Sequence, residues 1–278
     1  MLKHLTRITT RLFGFAVGGA AVAHPPNLTK HENFQSRFLP DERTIIVYVP
    51  PDYDDEPQRR YPVLYLQDGQ NLFDAKTAFG GTEWCADETA DELIESGEVE
   101  PLIIAGIYNT GERRIEEYTP SRNVKLGGGK AQLYGHMLVE ELIPFINKRY
   151  RTLTGPENTG LGGSSLGGLV SLYLGLQFPQ VFGKLAVLSP SVWWDNRAIL
   201  KMIAAAPSRP PLKIWLDMGT SEGGMSLQDA EALRDALEDK GWREGEDLQY
   251  SEIEGAIHNE AAWAERVGPF LKYLFPAR

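Results

Sequence analysis

The stretch TGLGGSSLGGLVSLYLGLQF, residues 159–178, decides how this chain is read. From Leu166 onward it is an apolar run of helical length. Before that it is a poor strand by propensity, ending in two serines set between two glycine pairs. A strand that turns sharply into a helix needs small residues on both sides of the turn. Register separates the serines. Gly163-Ser164-Ser165-Leu166-Gly167 puts Ser165 between two glycines, whereas a shift back by one puts Leu166 where the second glycine must stand. Ser165 is therefore the candidate nucleophile. A second match, Gly219-Thr220-Ser221-Glu222-Gly223, also follows a predicted strand, but its helix begins only near Leu227. Ser221 thus lacks the helix start that supplies a favourable field and free backbone N–H groups.

The same alternation extends in both directions. PVLYLQ (62–67), PLIIAGI (101–107), KLAVLS (184–189), LKIWLD (212–217) and LQYSEI (248–253) read as strands. Helices are expected at 83–96, 132–150 with a kink at Pro144, 166–178, 227–240 and 260–275. QSRFL (35–39) and TIIVYV (44–49) read as an antiparallel hairpin, and 108–130 as a long polar loop. Apolar strands alternating with helices predict one α/β domain, with a mostly parallel sheet covered on both faces.

The chain has 278 residues, 42% hydrophobic and 24% charged, with a net charge of −10. That balance supports a packed core and argues against a nucleic-acid partner, which needs a basic face. No apolar run reaches the length of a membrane span, so stable membrane insertion is not expected. The single cysteine, Cys85, can form no internal disulfide, and it reads as a small apolar residue near a helix start. Residues 1–23 read as a targeting segment: Lys3, Arg7 and Arg11 precede a short apolar stretch that ends in Ala21-Val22-Ala23. Its removal would leave residues 24–278 as a single domain in the periplasm or outside the cell; otherwise the protein is expected in the cytoplasm.

A serine hydroxyl is a weak nucleophile and needs a base and an oxyanion site. In parallel sheets of this kind the chain order is nucleophile, acid, histidine. Of the five histidines, His4, His24 and His31 lie in the N-terminal arm and His136 in a helix before Ser165. Only His258 follows the serine, on the loop before the last helix. The acid is expected after LKIWLD. Glu222 has the better reach; Asp217, at the strand end, could serve instead as a structural acceptor, and Asp229 reads as an exposed helix residue. The loop DGQN (68–71) should give one oxyanion donor, Gln70 N–H, beside Leu166 N–H, with Gly69 allowing close backbone approach.

VYVPPDY, YPVLYLQDGQNLFD, GTEWCADE, RIEEYTP, GGSSLGG, LSPSVWW, DMGTSEG and HNEAAW follow one another along the chain. This ordered set resembles an esterase family of α/β hydrolases over roughly residues 32–275. Its members include esterase D, enterochelin esterases, feruloyl and acetylxylan esterases, and the mycolyltransferase antigens. The resemblance implies the α/β-hydrolase fold, a Ser165–His258–Glu222 triad, and oxyanion donors at Gln70 and Leu166. Asp68 is a further expected pocket residue. Arg114, Glu117 and Tyr118, on the long polar loop, either shape the pocket or form a surface ion pair with a packed tyrosine. Trp193 and Trp194 either stack on a sugar or aromatic acyl group or, for one of them, pack in the core. Neither cofactor nor metal is expected. The expected activity is serine ester hydrolysis on a feruloyl or acetyl carbohydrate ester. The alternatives are a siderophore trilactone, acyl transfer to a sugar hydroxyl, or a binding module on a hydrolase scaffold.

Overall fold

A computed structural model describes residues 27–277. The expected targeting segment, with His4 and His24, lies outside the described residues.

β1 (Leu28–Phe34) pairs antiparallel with β2 (Arg43–Tyr48). QSRFL is not the first strand but part of the bend between them. The true β1 is an edge strand with polar, largely outward side chains, so no apolar alternation marks it. β3 (Val63–Gln67) and β4 (Ile103–Ile107) run parallel, separated in sequence by α1 (Ala86–Glu95). Cys85 stands immediately before α1, in a left-handed conformation.

The polar segment after β4 is ordered into α2 (Arg114–Glu117) and a small hairpin, β5 (Arg122–Asn123) with β6 (Gly127–Gly128). α3 (Ala131–Met137) continues through a π-type turn, Leu138–Leu142, into α4 (Ile143–Arg149). Pro144 has no N–H to donate, and the widened turn lies just before it.

The remaining elements alternate: β7 (Thr159–Ser164), α5 (Leu166–Gln177), β8 (Lys184–Leu188), α6 (Trp194–Ala205), β9 (Lys213–Gly219), α7 (Ser226–Lys240) and β10 (Leu248–Ile253). Two short helices, α8 (Glu260–Ala264) and α9 (Val267–Leu274), replace the single last helix expected. The break between them turns Arg266 inward, where it is 1% exposed. α6 was not anticipated. Its start carries three left-handed residues, Asp195, Asn196 and Arg197, and reads as loop.

The main sheet has the order β1-β2-β4-β3-β7-β8-β9-β10 and is parallel from β4 to β10. β7 lies between β3 and β8 despite its weak propensity, because pairing on both sides and burial override it. Two apolar clusters cover the sheet. Ile45, Val47, Tyr65 and Leu161 face α3 to α7, while Ile46, Tyr48, Leu64 and Leu66 face α1 and α9. Neighbours along one strand point to opposite layers, as pleating requires. The site is built where the parallel strands end, on the loops after β3, β4, β7, β8, β9 and β10.

Candidate active site

Ser165 occupies the turn between β7 and α5, with φ 58° and ψ −122°. A non-glycine residue adopts that backbone only when its surroundings hold it there. Ser165 N–H donates to the Leu188 carbonyl at 3.0 Å, and the Ser165 carbonyl accepts from Ser191 N–H at 3.1 Å and Leu169 N–H at 3.1 Å. Gly168 lets the helix approach β8: a Cβ there would stand 2.9 Å from the Leu188 carbonyl oxygen. Ser165 Oγ lies 3.2 Å from Ser191 Oγ. Ser164 is buried, and Ser221 lies exposed on the turn after β9.

His258 stands on the loop between β10 and α8, edge-on to Trp263 with ring centroids 4.8 Å apart. Its Nδ1 is 2.6 Å from Glu222 Oε2. The Glu222 carboxylate is almost fully buried; Oε1 accepts from Gly219 N–H at 2.8 Å and from the Ser189 hydroxyl. Burial pushes its pKa up, but hydrogen bonds from His258, Ser189 and Gly219 N–H outweigh this and hold it below the usual carboxylate range.

The other two candidate acids are engaged elsewhere. Asp217 is fully buried and accepts from Arg266 Nη1 at 2.7 Å and Trp215 Nε1 at 2.7 Å. Burial raises its pKa despite the arginine. Asp229, expected to be exposed, is 3% exposed and pairs with Arg197 at 2.5 Å. It is drawn inward because α7 packs that face against α6.

The opposite wall comes from the loop after β3. Asp68 takes a left-handed conformation, φ 56°, and Gly69 follows it. A Cβ on Gly69 would stand 2.4 Å from the Gly106 carbonyl carbon, so only glycine fits against β4. Gln70 is pinned twice: its carbonyl accepts from Thr77 Oγ1 at 2.6 Å and its Oε1 from Asn109 N–H at 3.3 Å. Gln70 N–H and Leu166 N–H both sit in the first turn of a helical segment, where a backbone donor has no acceptor within its own turn.

Asp68, Gln70, Ser164, Ser165 and His258 line one cavity of about 310 Å³, with Arg114 at its wall. Arg114 clamps Asp68 through Nε–Oδ1 and Nη2–Oδ2, each 2.8 Å, and Asn109 Nδ2 donates to Asp68 Oδ1 at 2.7 Å. Burial works against the Arg114 cation, but Asp68 more than offsets it and the pKa is raised.

Three expected pocket residues, Tyr118, Trp193 and Trp194, do not touch this cavity. Tyr118 is fully buried beneath Arg114, its ring centroid 5.1 Å from the guanidinium carbon. Trp194 is 1% exposed and donates Nε1–H to the Ser121 carbonyl at 2.9 Å. Both are apolar bodies that find core space, so they support the wall rather than line it. Trp193 is 51% exposed, outside the cavity lining. Glu117 forms a buried bidentate pair with Arg43, both bonds 3.1 Å.

Residues 36–273 match the model of the family described as "Putative esterase". The chain belongs to that esterase family. Among similar proteins, the esterase is 26% identical over 263 residues to the uncharacterized protein YbbA of Bacillus subtilis, covering 90% of this chain and 96% of that one. It is 29% identical over 203 residues to the ferri-bacillibactin esterase BesA of Bacillus subtilis, covering 66% and 67%. It is 31% identical over 162 residues to an endo-1,4-beta-xylanase/feruloyl esterase of Xylanibacter ruminicola, covering 56% of this chain and 20% of that one. The crystal structure of the BES protein from Bacillus cereus superposes with a TM-score of 0.75 at 23% identity, covering 94% and 99%. The esterase is thus a serine carboxylic-ester hydrolase with the α/β-hydrolase fold.

Several site residues carry no local signal. Asn71, Phe79, Asn109, Glu260 and Trp263 complete the esterase cavity. Asn71 Nδ2 donates to Glu260 Oε1 at 2.8 Å across a gap of 189 residues. Burial, and next Asp68, raise the Glu260 pKa. HNEAAW does contain the start signal of α8: the Asn259 side chain caps Ala262 N–H at 2.9 Å. That cap carries the chain from the histidine loop into the helix with Glu260 and Trp263.

Proposed function

We propose that this esterase cleaves its ester through an acyl-enzyme on Ser165. The carrying observation is that Ser165, at a strained strand-to-helix turn, shares one cavity with His258, whose far nitrogen is held by Glu222. His258 Nε2 takes the Ser165 proton as Oγ attacks the ester carbonyl, and returns it to the departing alcohol. Glu222 fixes the tautomer and balances the imidazolium. Gln70 and Leu166 N–H groups bind the oxyanion. Water, deprotonated by His258, then releases the acid.

The lining favours a small neutral ester rich in hydroxyl groups, such as an acetyl or feruloyl carbohydrate ester. Asn71, Asn109 and Glu260 offer hydrogen bonds, and Phe79 and Trp263 offer flat apolar area. Arg114 is already neutralised by Asp68, so little positive field remains for a highly anionic substrate. The similarity to BesA over two thirds of both chains supports a second reading, a siderophore lactone.

Ser165→Ala should lower kcat on short p-nitrophenyl esters by about 10³-fold or more. Ser164→Ala and Ser221→Ala should keep most activity. Retention in Ser165→Ala with loss in Ser221→Ala would overturn the assignment. Ranking acetyl-sugar, feruloyl-sugar and catecholate-lactone esters by kcat/KM tests the substrate; a lactone in first place rejects the carbohydrate reading.

A further inference from the structure

Behind the His258–Glu222 pair lie three buried residues that hydrolysis as written does not use, Ser189, Asp217 and Arg266, and Trp263 reaches them from the cavity wall. Ser189 and Arg266 are each 1% exposed and Asp217 is fully buried. Ser189 Oγ accepts from Arg266 Nη1 at 2.7 Å and from Trp263 Nε1 at 3.1 Å. Neither an indole N–H nor a guanidinium can accept a hydrogen bond, so these two contacts occupy both lone pairs of the hydroxyl. Its single proton is left for Glu222 Oε1, which it contacts. The direction of that hydrogen bond is therefore forced by its neighbours.

Arg266 divides its charge. Nη1 donates to Asp217 Oδ1 at 2.7 Å, while Nη2 reaches Glu222 Oε1 at 3.4 Å. Asp217 thus balances the guanidinium, and the negative charge of Glu222 stays available to the imidazole at Oε2. The Ser189 backbone is held at φ 41°, a conformation a non-glycine residue avoids. Its N–H donates to the Asp217 carbonyl at 3.0 Å, which ties that backbone to β9.

We propose that Ser189, polarised by Arg266 and Trp263, is a positioning residue that fixes Glu222 Oε1 so that Oε2 faces His258. This rests on the triad reading above. Asp217 serves as the counter-ion of Arg266 rather than as a second triad acid.

The test compares Ser189→Ala and Ser189→Gly with the unaltered esterase on p-nitrophenyl acetate, per active site counted by burst titration. Glycine suits the positive φ, so Ser189→Gly removes the hydroxyl without backbone strain. Both variants should lose about tenfold or more in kcat, with KM within about twofold. The acidic limb of kcat/KM should move to higher pH. With one donor gone, the Glu222 charge is less satisfied and holds the His258 proton more tightly. The other charged groups facing the pair stay in place: Glu260 on α8, Asp68 and Arg114 across the cavity, and Asp217 and Arg266 behind it. A purely structural role would lower the count of active sites and leave kcat per site and the limb unchanged; that result overturns the proposal. Glu222→Gln is the reference arm. Full activity there rejects the triad, whereas its loss beside unchanged Ser189 variants rejects the Ser189 role alone.

Discussion

Gly69 shows how narrowly one residue can set the chemistry. Its Cα lies so close to β4 that a methyl group would overlap the Gly106 backbone, and the next residue, Gln70, carries the proposed oxyanion donor. Gly69→Ala should therefore displace that N–H. kcat should fall about 10²–10³-fold, the scale of losing one oxyanion donor, with a much smaller change in KM. Steady-state kinetics on an activated ester check this, and a kcat within twofold of the unaltered esterase rejects it. Ser165 and Gly69 were legible because a tight turn admits few residue types. Ser189 and Asn71 were not, since what gives each its role lies 77 and 189 residues away in sequence.

At the scale of elements, the strand-helix alternation could be read from apolar runs, and each error has its own local cause. β1 is a half-exposed edge, α6 opens on three left-handed residues, and the last helix breaks to bury Arg266. α1 holds a prediction of its own. Asp87, in its first turn, is 3% exposed, and burial, with Glu88 beside it, pushes its pKa up to about 8. In the unfolded chain it ionises near 4. The folded state thus binds the extra proton between these values, and its stability should decline as pH rises from about 4 to about 8. Asp87→Asn should flatten that decline. Thermal melts of both proteins at pH 5 and pH 8 would show it, and equal pH slopes would dismiss it.

For the molecule as a whole, the long segment after β4 must be tied to the sheet for Arg114 to reach Asp68. The Arg43–Glu117 pair makes that tie, with both side chains essentially without solvent contact. Removing one partner leaves a buried charge unpaired. Glu117→Gln should destabilise the esterase by about 3–5 kcal/mol, read as a lower urea midpoint. An unchanged midpoint would mean that the pair is not what anchors the segment.

By itself the sequence determined the parallel core, the register of Ser165 and the place of His258, because pleat, helix period and a tight turn each act over a few neighbouring residues. Tertiary structure decided where the acids go: Glu222 beside the imidazole, Asp217 on Arg266, Asp229 on Arg197. A buried carboxylate needs a partner, and which partner it meets depends on strands and helices that only the folded sheet brings together.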